Sequence, residues 1–255
     1  MCTLIVLHRP GTDWPVIIAA NRDEMRDRPW RSPGRWWDDR PEVVAGQDEL
    51  AGGSWMGLNQ SGVMVAILNR MGTLGPQPGK RSRGELVLEA LDHADAAPAA
   101  QALAQLDARA YRPFNMVIAD NRDVFWLRAD GSRITAHPIS PGLHMLSALD
   151  LDDRTSPRID AYLDRFKALP PPQPDPDSPA GGDWGGWPAL LADTGTASSD
   201  TEEAAAMCFT RANGFGTVSS SLIALPAAAR LGTPALWRFA PGRPDRTGFE
   251  AVKLD

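Results

Sequence analysis

Apolar residues in the first part of the chain occur in short runs with turn residues between them. These runs are too short for helices and are rich in β-branched residues, so each of them predicts a strand. Pro10 and Gly11 separate the first two runs, which indicates a hairpin-like connection. The predicted strands cover residues 2–7, 15–21, 52–59 and 62–69.

A different pattern follows. Leu86 and Ala90, like Val87 and Leu91, are spaced four residues apart, which is typical of a helix. Predicted helices cover residues 82–95, 99–111 and 156–169, and Pro157 suits the first turn of the third. Further strands are predicted at residues 114–120, 123–130, 142–148, 217–225, 234–240 and 249–254.

Strand pairs, then helices, then strands again predict an α+β protein with largely antiparallel sheets. An arginine-dense stretch, residues 22–41, is interpreted as a loop between the two early strand pairs. Residues 170–188, rich in Pro, Gly and Asp, are interpreted as an irregular surface loop rather than a domain boundary, because strand signals resume beyond them. We therefore expect residues 1–255 to form a single domain.

Charge and composition narrow the function classes. The net charge of −6 and the pI near 5.3 argue against binding to nucleic acid or to an anionic membrane surface. No apolar run approaches the roughly 20 residues of a membrane span, and no secretory signal precedes the first strand. The two cysteines, Cys2 and Cys208, predict a cytoplasmic protein with reduced thiols, and a single disulfide is the alternative.

Most familiar catalytic motifs are absent from the sequence. Residues 75–81 have the wrong glycine spacing for a phosphate loop, and there is no nucleophile elbow. The four histidines do not have the spacing of metal ligands, and two cysteines alone do not make a zinc site. The sequence therefore predicts neither a metal nor a cofactor.

Cys2 is the remaining candidate nucleophile. If Met1 is removed, the thiol and the α-amine belong to one residue, and that amine is able to act as the general base for the thiol. The alternative is that Cys2 is a small apolar residue at the start of a buried strand. The position of Cys2, considered alone, favours its role as an apolar residue packed in the strand.

Four polar residues follow the second apolar run: Asn21, Arg22, Asp23 and Glu24. They are costly to bury without partners. At a strand end beside the first strand they would surround Cys2, where Arg22 would lower the pKa of the thiol and Asp23 or Glu24 would hold the α-amine. The alternative is a charged loop whose groups pair with neighbouring arginines and contribute little.

These segments together resemble the NRDE proteins, also called the transport-and-Golgi-organisation protein 2 family. The resemblance includes Met1–Cys2 and the sequence "ANRDEMRDRP". It continues through residues 36–70, 82–87, 114–120, 142–147 and 215–222, so it covers nearly the whole chain.

The resemblance implies the N-terminal nucleophile hydrolase fold, a four-layer αββα sandwich of antiparallel sheets. It also implies a hydrolase or acyltransferase that acts on a non-peptide amide (C–N) or ester bond of a small-molecule acyl substrate, through an acyl-enzyme on Cys2. Residues 21–24 are then expected around the thiol and the amine. Asn69, which ends a predicted strand, is expected to help hold the oxyanion.

Two departures from the family pattern keep other functions open. Ala148 stands where members usually have Asn, and Val218 stands where they commonly have Arg, so a catalytically silent relative is one alternative. Another is a non-catalytic protein that binds or traffics lipid or haem. Its apolar site would use tryptophans of residues 36–39 and 182–187, for which packing is the competing explanation.

Overall fold

The computed structural model describes residues 2–195 and 205–254. In chain order its strands are β1 (Thr3–His8), β2 (Val16–Met25), β3 (Trp30–Gly34), β4 (Val43–Asp48), β5 (Met56–Asn59), β6 (Met64–Asn69), β7 (Phe114–Ala119), β8 (Val124–Ala129), β9 (Ile134–Pro138), β10 (Gly142–Leu146), β11 (Gln173–Pro174), β12 (Gly182–Asp183), β13 (Phe215–Leu225), β14 (Leu236–Ala240) and β15 (Glu250–Ala251). The helices are α1 (Gly84–Leu91), α2 (Ala96–Ala104), α3 (Pro157–Ala168) and α4 (Trp187–Leu191), with a 3₁₀ turn at Ala108–Ala110.

Two compact units divide the chain. The first combines Met1–Arg28 with Pro141–Lys253, and the second is Pro29–Ser140 with the last two residues. Each unit is built on one antiparallel sheet with helices packed on it. The predicted α+β class with antiparallel sheets is confirmed.

The sheet of the first unit has the strand order β10-β1-β2-β13-β14-β15. Strand β2 lies inside it and pairs with β1 on one side and with β13 on the other. Helices α3 and α4 pack on one face, where Ile5 and Ile17 of the strands meet Ile159 and Phe166 of α3. Ser156 caps α3 by accepting the Ile159 N–H at 3.4 Å, and Pro157 occupies its first turn, so this predicted helix is confirmed.

The polar end of β2 departs from the sequence prediction. The interpretation of residues 22–41 as a loop is wrong, because β2 continues to Met25 and residues 30–34 form β3. The backbone of residues 21–25 pairs with β13, which satisfies its hydrogen-bonding groups inside the sheet. Polar side chains therefore enter a buried strand because each of them finds a partner there.

The sheet of the second unit runs in sequence order, β3-β4-β5-β6-β7-β8-β9. Helices α1 and α2 lie in the connection between β6 and β7 and bury their apolar residues against this sheet. The helix predicted over residues 99–111 is observed as α2, which begins and ends earlier, at Ala96–Ala104. The Asp120 carboxylate explains the earlier start, because it accepts the Ala96 N–H at 2.9 Å and so satisfies one end of the helix.

The Pro- and Gly-rich segment at residues 170–188 holds one two-strand ladder of β11 with β12, and α4 begins at Trp187. Trp184 and Trp187 are buried, with exposed fractions of 6% and 1%, and both belong to the core of the first unit. Among the helices in the described ranges, none combines the length and the apolar character that crossing a membrane requires.

Two of the segments that carry the family resemblance meet in the second unit. The Ser54 N–H donates to the Gly84 carbonyl oxygen at 3.0 Å, and a Cβ on Gly53 would lie 2.4 Å from the Gly84 carbonyl carbon. The neighbouring atoms are backbone, so they have little freedom to move aside. The "GGSW" and "SRGE" segments are therefore locked together by a close backbone contact.

Gly53→Ala is expected to lower the free energy of unfolding by about 1–3 kcal/mol, because the added methyl group overpacks this contact. Urea denaturation measures the change. Gly248→Ala is the matched control, since a Cβ there meets nothing within 4 Å, and it should change stability by no more than about 0.5 kcal/mol. Equal effects of the two substitutions would contradict the contact.

Candidate active site

Cys2 lies directly before β1, beside β2 and β10. Its sulfur accepts the backbone N–H of Asp23 at 3.4 Å and lies 3.6 Å from the Asp23 carbonyl oxygen. Its own carbonyl oxygen accepts the hydroxyl of Ser147 at 3.2 Å. The thiol is thus held by the backbone of the NRDE segment, and the residue remains partly exposed.

Strand alternation divides the NRDE residues between the two faces of the sheet. Ile17 and Ala19 face α3 and α4, and Asn21 and Asp23 continue that row. Arg22 and Glu24 therefore point to the opposite face, the one toward which Cys2 also alternates along β1.

The helix face holds a buried ion pair between Asp23 and Arg158. One carboxylate oxygen, Oδ2, lies 3.0 Å from Arg158 Nη1, and both side chains are fully buried. The other oxygen, Oδ1, accepts the Thr217 hydroxyl at 2.8 Å. Arg158 Nη1 also donates to the Thr3 hydroxyl at 2.6 Å. Both oxygens of the Asp23 carboxylate are therefore engaged inside this cluster.

Asn21 ties three segments of the first unit together. Its side-chain amide donates to the carbonyl oxygens of Leu191 and Met207, each at 2.9 Å, and its Oδ1 accepts the Ser220 hydroxyl at 2.7 Å. Both N–H bonds of the amide are used, so the arrangement leaves Asn21 no donor for an oxyanion. These contacts give Asn21 a structural role, because they hold the three segments together.

Arg22 and Glu24 form a looser charged group. Arg22 is 6% exposed and its Nη2 lies 4.0 Å from Glu24 Oε2, while Arg28 lies 3.6 Å from the same oxygen. Glu24 Oε1 accepts the Met25 N–H at 2.8 Å. Glu24 therefore pairs with neighbouring arginines, as the alternative interpretation of this segment supposed. Asp23 instead pairs with Arg158 of α3.

A β-bulge in β13 sets the side-chain directions opposite the NRDE residues. Thr217 pairs with Asp23 and Ser219 pairs with Arg22, so Val218 is the extra residue between them. The extra residue lets Thr217 point to the helix face while Ser219 shares the face of Arg22. Val218, where the resemblance expects arginine, is partly exposed at this bulge.

Ala148, the second departure, is fully buried. It follows Ser147, whose hydroxyl donates to the Cys2 carbonyl oxygen. A methyl group therefore stands at the position where family members usually carry an amide.

Burial is the main cause that raises the pKa of the Cys2 thiol, and the charge of Asp23 raises it further. Arg22 acts in the lowering direction, as the sequence predicted, but its effect is outweighed. The thiol is consequently neutral at pH 7, and a reaction at this sulfur needs a base to remove its proton.

Cys208 is a free thiol of a different kind. It is fully buried, and burial together with its 3.2 Å hydrogen bond to Asp245 raises its pKa to about 11. This environment is typical of an inert, structural cysteine.

The remaining predicted residue, Asn69, belongs to the second unit. It ends β6 opposite Phe114 of β7 and is partly exposed. Within the described ranges, no group of three or more His, Cys, Asp and Glu side chains is placed to hold a metal ion.

Sequence reasoning missed Arg158, Thr217 and Thr3. Each lies in a predicted helix or strand, and although Thr217 belongs to the resemblance segment 215–222, none of the three was singled out as a site residue. The available signal was a charged residue at a helix position that the amphipathic pattern assigns to the core, next to the buried Ile159.

The fold is that of the N-terminal nucleophile hydrolases, as comparison with solved structures shows. The chain aligns with the Caenorhabditis elegans N-acylethanolamine-hydrolyzing acid amidase ortholog at a TM-score of 0.53 and 14% identity, covering 99% of this chain and 100% of that one. Penicillin V acylase from Agrobacterium tumefaciens aligns at 0.51 and 14%, covering 94% and 83%. A C2A mutant of conjugated bile acid hydrolase from Clostridium perfringens aligns at 0.52 and 12%, covering 100% and 97%.

The chain belongs to the Transport and Golgi organisation 2 family, whose sequence model matches residues 1–175. The Transport and Golgi organization 2 homolog of Mus musculus is 32% identical over 108 residues. The corresponding protein of Bos taurus is 33% identical over 110 residues. The matched region covers 41% of this chain and 38% of each relative, so the chain spans well under half of the length of these relatives.

Arg158→Met is expected to lower the free energy of unfolding by about 3–5 kcal/mol, because it leaves the buried Asp23 carboxylate without its cation. Chemical denaturation measures this change. Arg154→Met is the control just before α3, since Arg154 pairs with Asp164 in solvent and its loss should lower stability far less. A cost for Arg158→Met as small as that of the control would rule out the assigned ion pair.

Proposed function

We propose that this protein is an N-terminal-cysteine hydrolase or acyltransferase that acts on a non-peptide amide or ester bond of a small-molecule acyl substrate. The observation that carries the proposal is the position of the Cys2 sulfur, 3.4 Å from the Asp23 N–H at the head of β1. A further support is the fold, which the chain shares with enzymes named as an amidase, an acylase and a hydrolase.

In the proposed reaction, Met1 is removed and Cys2 becomes the first residue. The α-amine takes the proton of the thiol as the sulfur forms a bond to the substrate carbonyl carbon. The carbonyl carbon then loses its bond to the leaving nitrogen or oxygen, which receives that proton from the ammonium group. The resulting thioester is cleaved by water, which gives the acid, or by an acceptor amine or alcohol, which gives the transferred product. Either step restores the thiol.

The raised pKa of Cys2 supports the need for such a base, because the resting thiol is neutral. An α-amine ordinarily titrates near 8, close to neutral pH, so it is suited to this role. The amine is also attached to the Cα of the nucleophile, so the two groups approach each other without a further side chain.

The neighbouring residues are assigned distinct roles in this proposal. Arg22 lies on the thiol side of the sheet, where its charge favours the thiolate. Asp23 and Asn21 position the strand, and Glu24 orients Arg22 from 4.0 Å. Asn69 is assigned to the oxyanion on the family resemblance alone. The reaction as written needs no metal or cofactor, and a cytoplasmic location remains part of the prediction.

The test uses a panel of p-nitrophenyl esters and p-nitroanilides of short and long acyl chains. Intact-protein mass spectrometry is expected to find one acyl group added, and peptide mapping is expected to place it on Cys2. Cys2→Ala should abolish the adduct, whereas Cys208→Ala should keep it, because the Cys208 thiol is buried. An adduct that persists in Cys2→Ala, or none with any acyl donor, would refute the proposal.

Asn69→Ala tests the oxyanion assignment. It is expected to lower the rate of acyl-enzyme formation by about 10²–10³-fold with little change in the substrate concentration at half-saturation, because the lost hydrogen bond forms in the transition state. Stopped-flow release of p-nitrophenol measures both quantities. An unchanged rate would remove Asn69 from the mechanism.

The tryptophans on which the lipid- or haem-binding alternative is based have packing contacts, and Trp36 is also 37% exposed. Trp184 and Trp187 are buried in the core of the first unit. In the second unit, Trp37 packs against the core and its indole N–H donates to Gly52, while Trp36 stacks on Arg31. Stoichiometric binding of haem or a lipid that Cys2→Ala leaves unaffected, with no acyl adduct, would favour this alternative.

A further inference from the structure

We infer that Arg158 is a positioning residue for Cys2: it fixes Asp23 against the thiol and balances the charge of its carboxylate. This inference rests on the proposed role of Cys2 as the nucleophile. It adds to that role a residue from helix α3, which lies outside the NRDE segment and belongs to no recognised motif.

Arg158 itself is held rigidly. It follows Pro157 in the first turn of α3, and the next residue, Ile159, is fully buried in the core and donates its N–H to the Ser156 cap. The guanidinium lies over the ring of Phe209, with 5.3 Å between its carbon and the ring centroid. These contacts leave the Arg158 side chain with a fixed direction.

One guanidinium nitrogen joins the two strands that meet at the thiol. Arg158 Nη1 contacts the Thr3 hydroxyl and the Asp23 carboxylate, at 2.6 Å and 3.0 Å. Thr3 is the residue after Cys2, and Asp23 is the residue whose backbone contacts the Cys2 sulfur. Arg158 therefore links the side chains of these two segments, whose backbones already pair as β1 and β2.

The charge of Arg158 has a second effect. An unbalanced carboxylate beside Cys2 would disfavour the thiolate and would also keep the α-amine protonated, so both partners of the proposed proton transfer would need a higher pH. Among the described side chains, Arg22 of β2 also acts on the thiol, in the lowering direction, and Glu24 lies 4.0 Å from Arg22. Ser219 of β13, on the face of Arg22, and Ser147, directly after β10, carry no charge.

Alkylation of Cys2 by iodoacetamide as a function of pH tests this inference without requiring turnover. Peptide mass spectrometry follows Cys2 alone, and intact mass verifies that all variants share one N-terminus. Arg158→Met is expected to move the pH midpoint of Cys2 alkylation up by about one unit. Alkylation at pH 8 would then be about tenfold slower than in the wild type.

Three further variants separate charge from packing. Arg158→Lys should restore most of the wild-type midpoint, because it keeps the cation. Thr217→Val removes a hydrogen bond from the same carboxylate without changing the charge, and it should shift the midpoint much less than Arg158→Met. In the double variant Asp23→Asn/Arg158→Met, the midpoint of Cys2 alkylation should lie at higher pH than in Asp23→Asn alone. This comparison measures the effect of the Arg158 charge even if Arg158→Met does not fold.

An unchanged midpoint in Arg158→Met, or an equal shift in Thr217→Val, would overturn the inference. Where Arg158→Met is unfolded, equal midpoints in Asp23→Asn and the double variant would overturn it. Failure of the proposed function gives a different result, namely no acyl adduct on Cys2 while these shifts remain.

Discussion

The buried ion pair between Asp23 and Arg158 is the interaction on which the candidate site depends. A buried ion pair often contributes no more to stability than apolar residues of the same volume, whereas removing one partner is costly. Stability therefore does not explain why a carboxylate and a guanidinium, both fully buried, lie at this position. Placing and neutralising the acidic residue next to the Cys2 thiol, the proposed nucleophile, does explain it, and the same contact joins helix α3 to the first two strands.

Strand β2 gives the NRDE segment two separate functions. Because side chains alternate, Asn21 and Asp23 fasten the sheet to the segments on the helix face, and Arg22 and Glu24 share the face of the thiol. The bulge at Val218 preserves this division on the neighbouring strand. The four consecutive polar residues are therefore alternating structural and electrostatic positions, and the sulfur itself is held by backbone atoms.

Much of this fold was predictable from local patterns. The apolar runs and the spacing of helix α3 identified most elements of both units, since those signals are local. The polar end of β2 and the bulge at Val218 were missed, because pairing with β13, which is distant along the chain, decides them. Strands β3 and β4, which pair with each other, were missed as well. Cys2 and the NRDE residues were found through a motif. Arg158 and Thr217 were missed, since their role appears only when α3 and β13 are brought to Asp23.

The central proposal is that residue 2 is an N-terminal nucleophile whose thiol lies against the backbone of Asp23. A high-resolution crystal structure of the purified protein tests it most directly. The predicted result is a chain that begins at Cys2, with the Asp23 N–H within hydrogen-bond reach of the sulfur and Arg158 bound to the Asp23 carboxylate. A chain that retains Met1, or a Cys2 thiol directed away from Asp23, would contradict the claim.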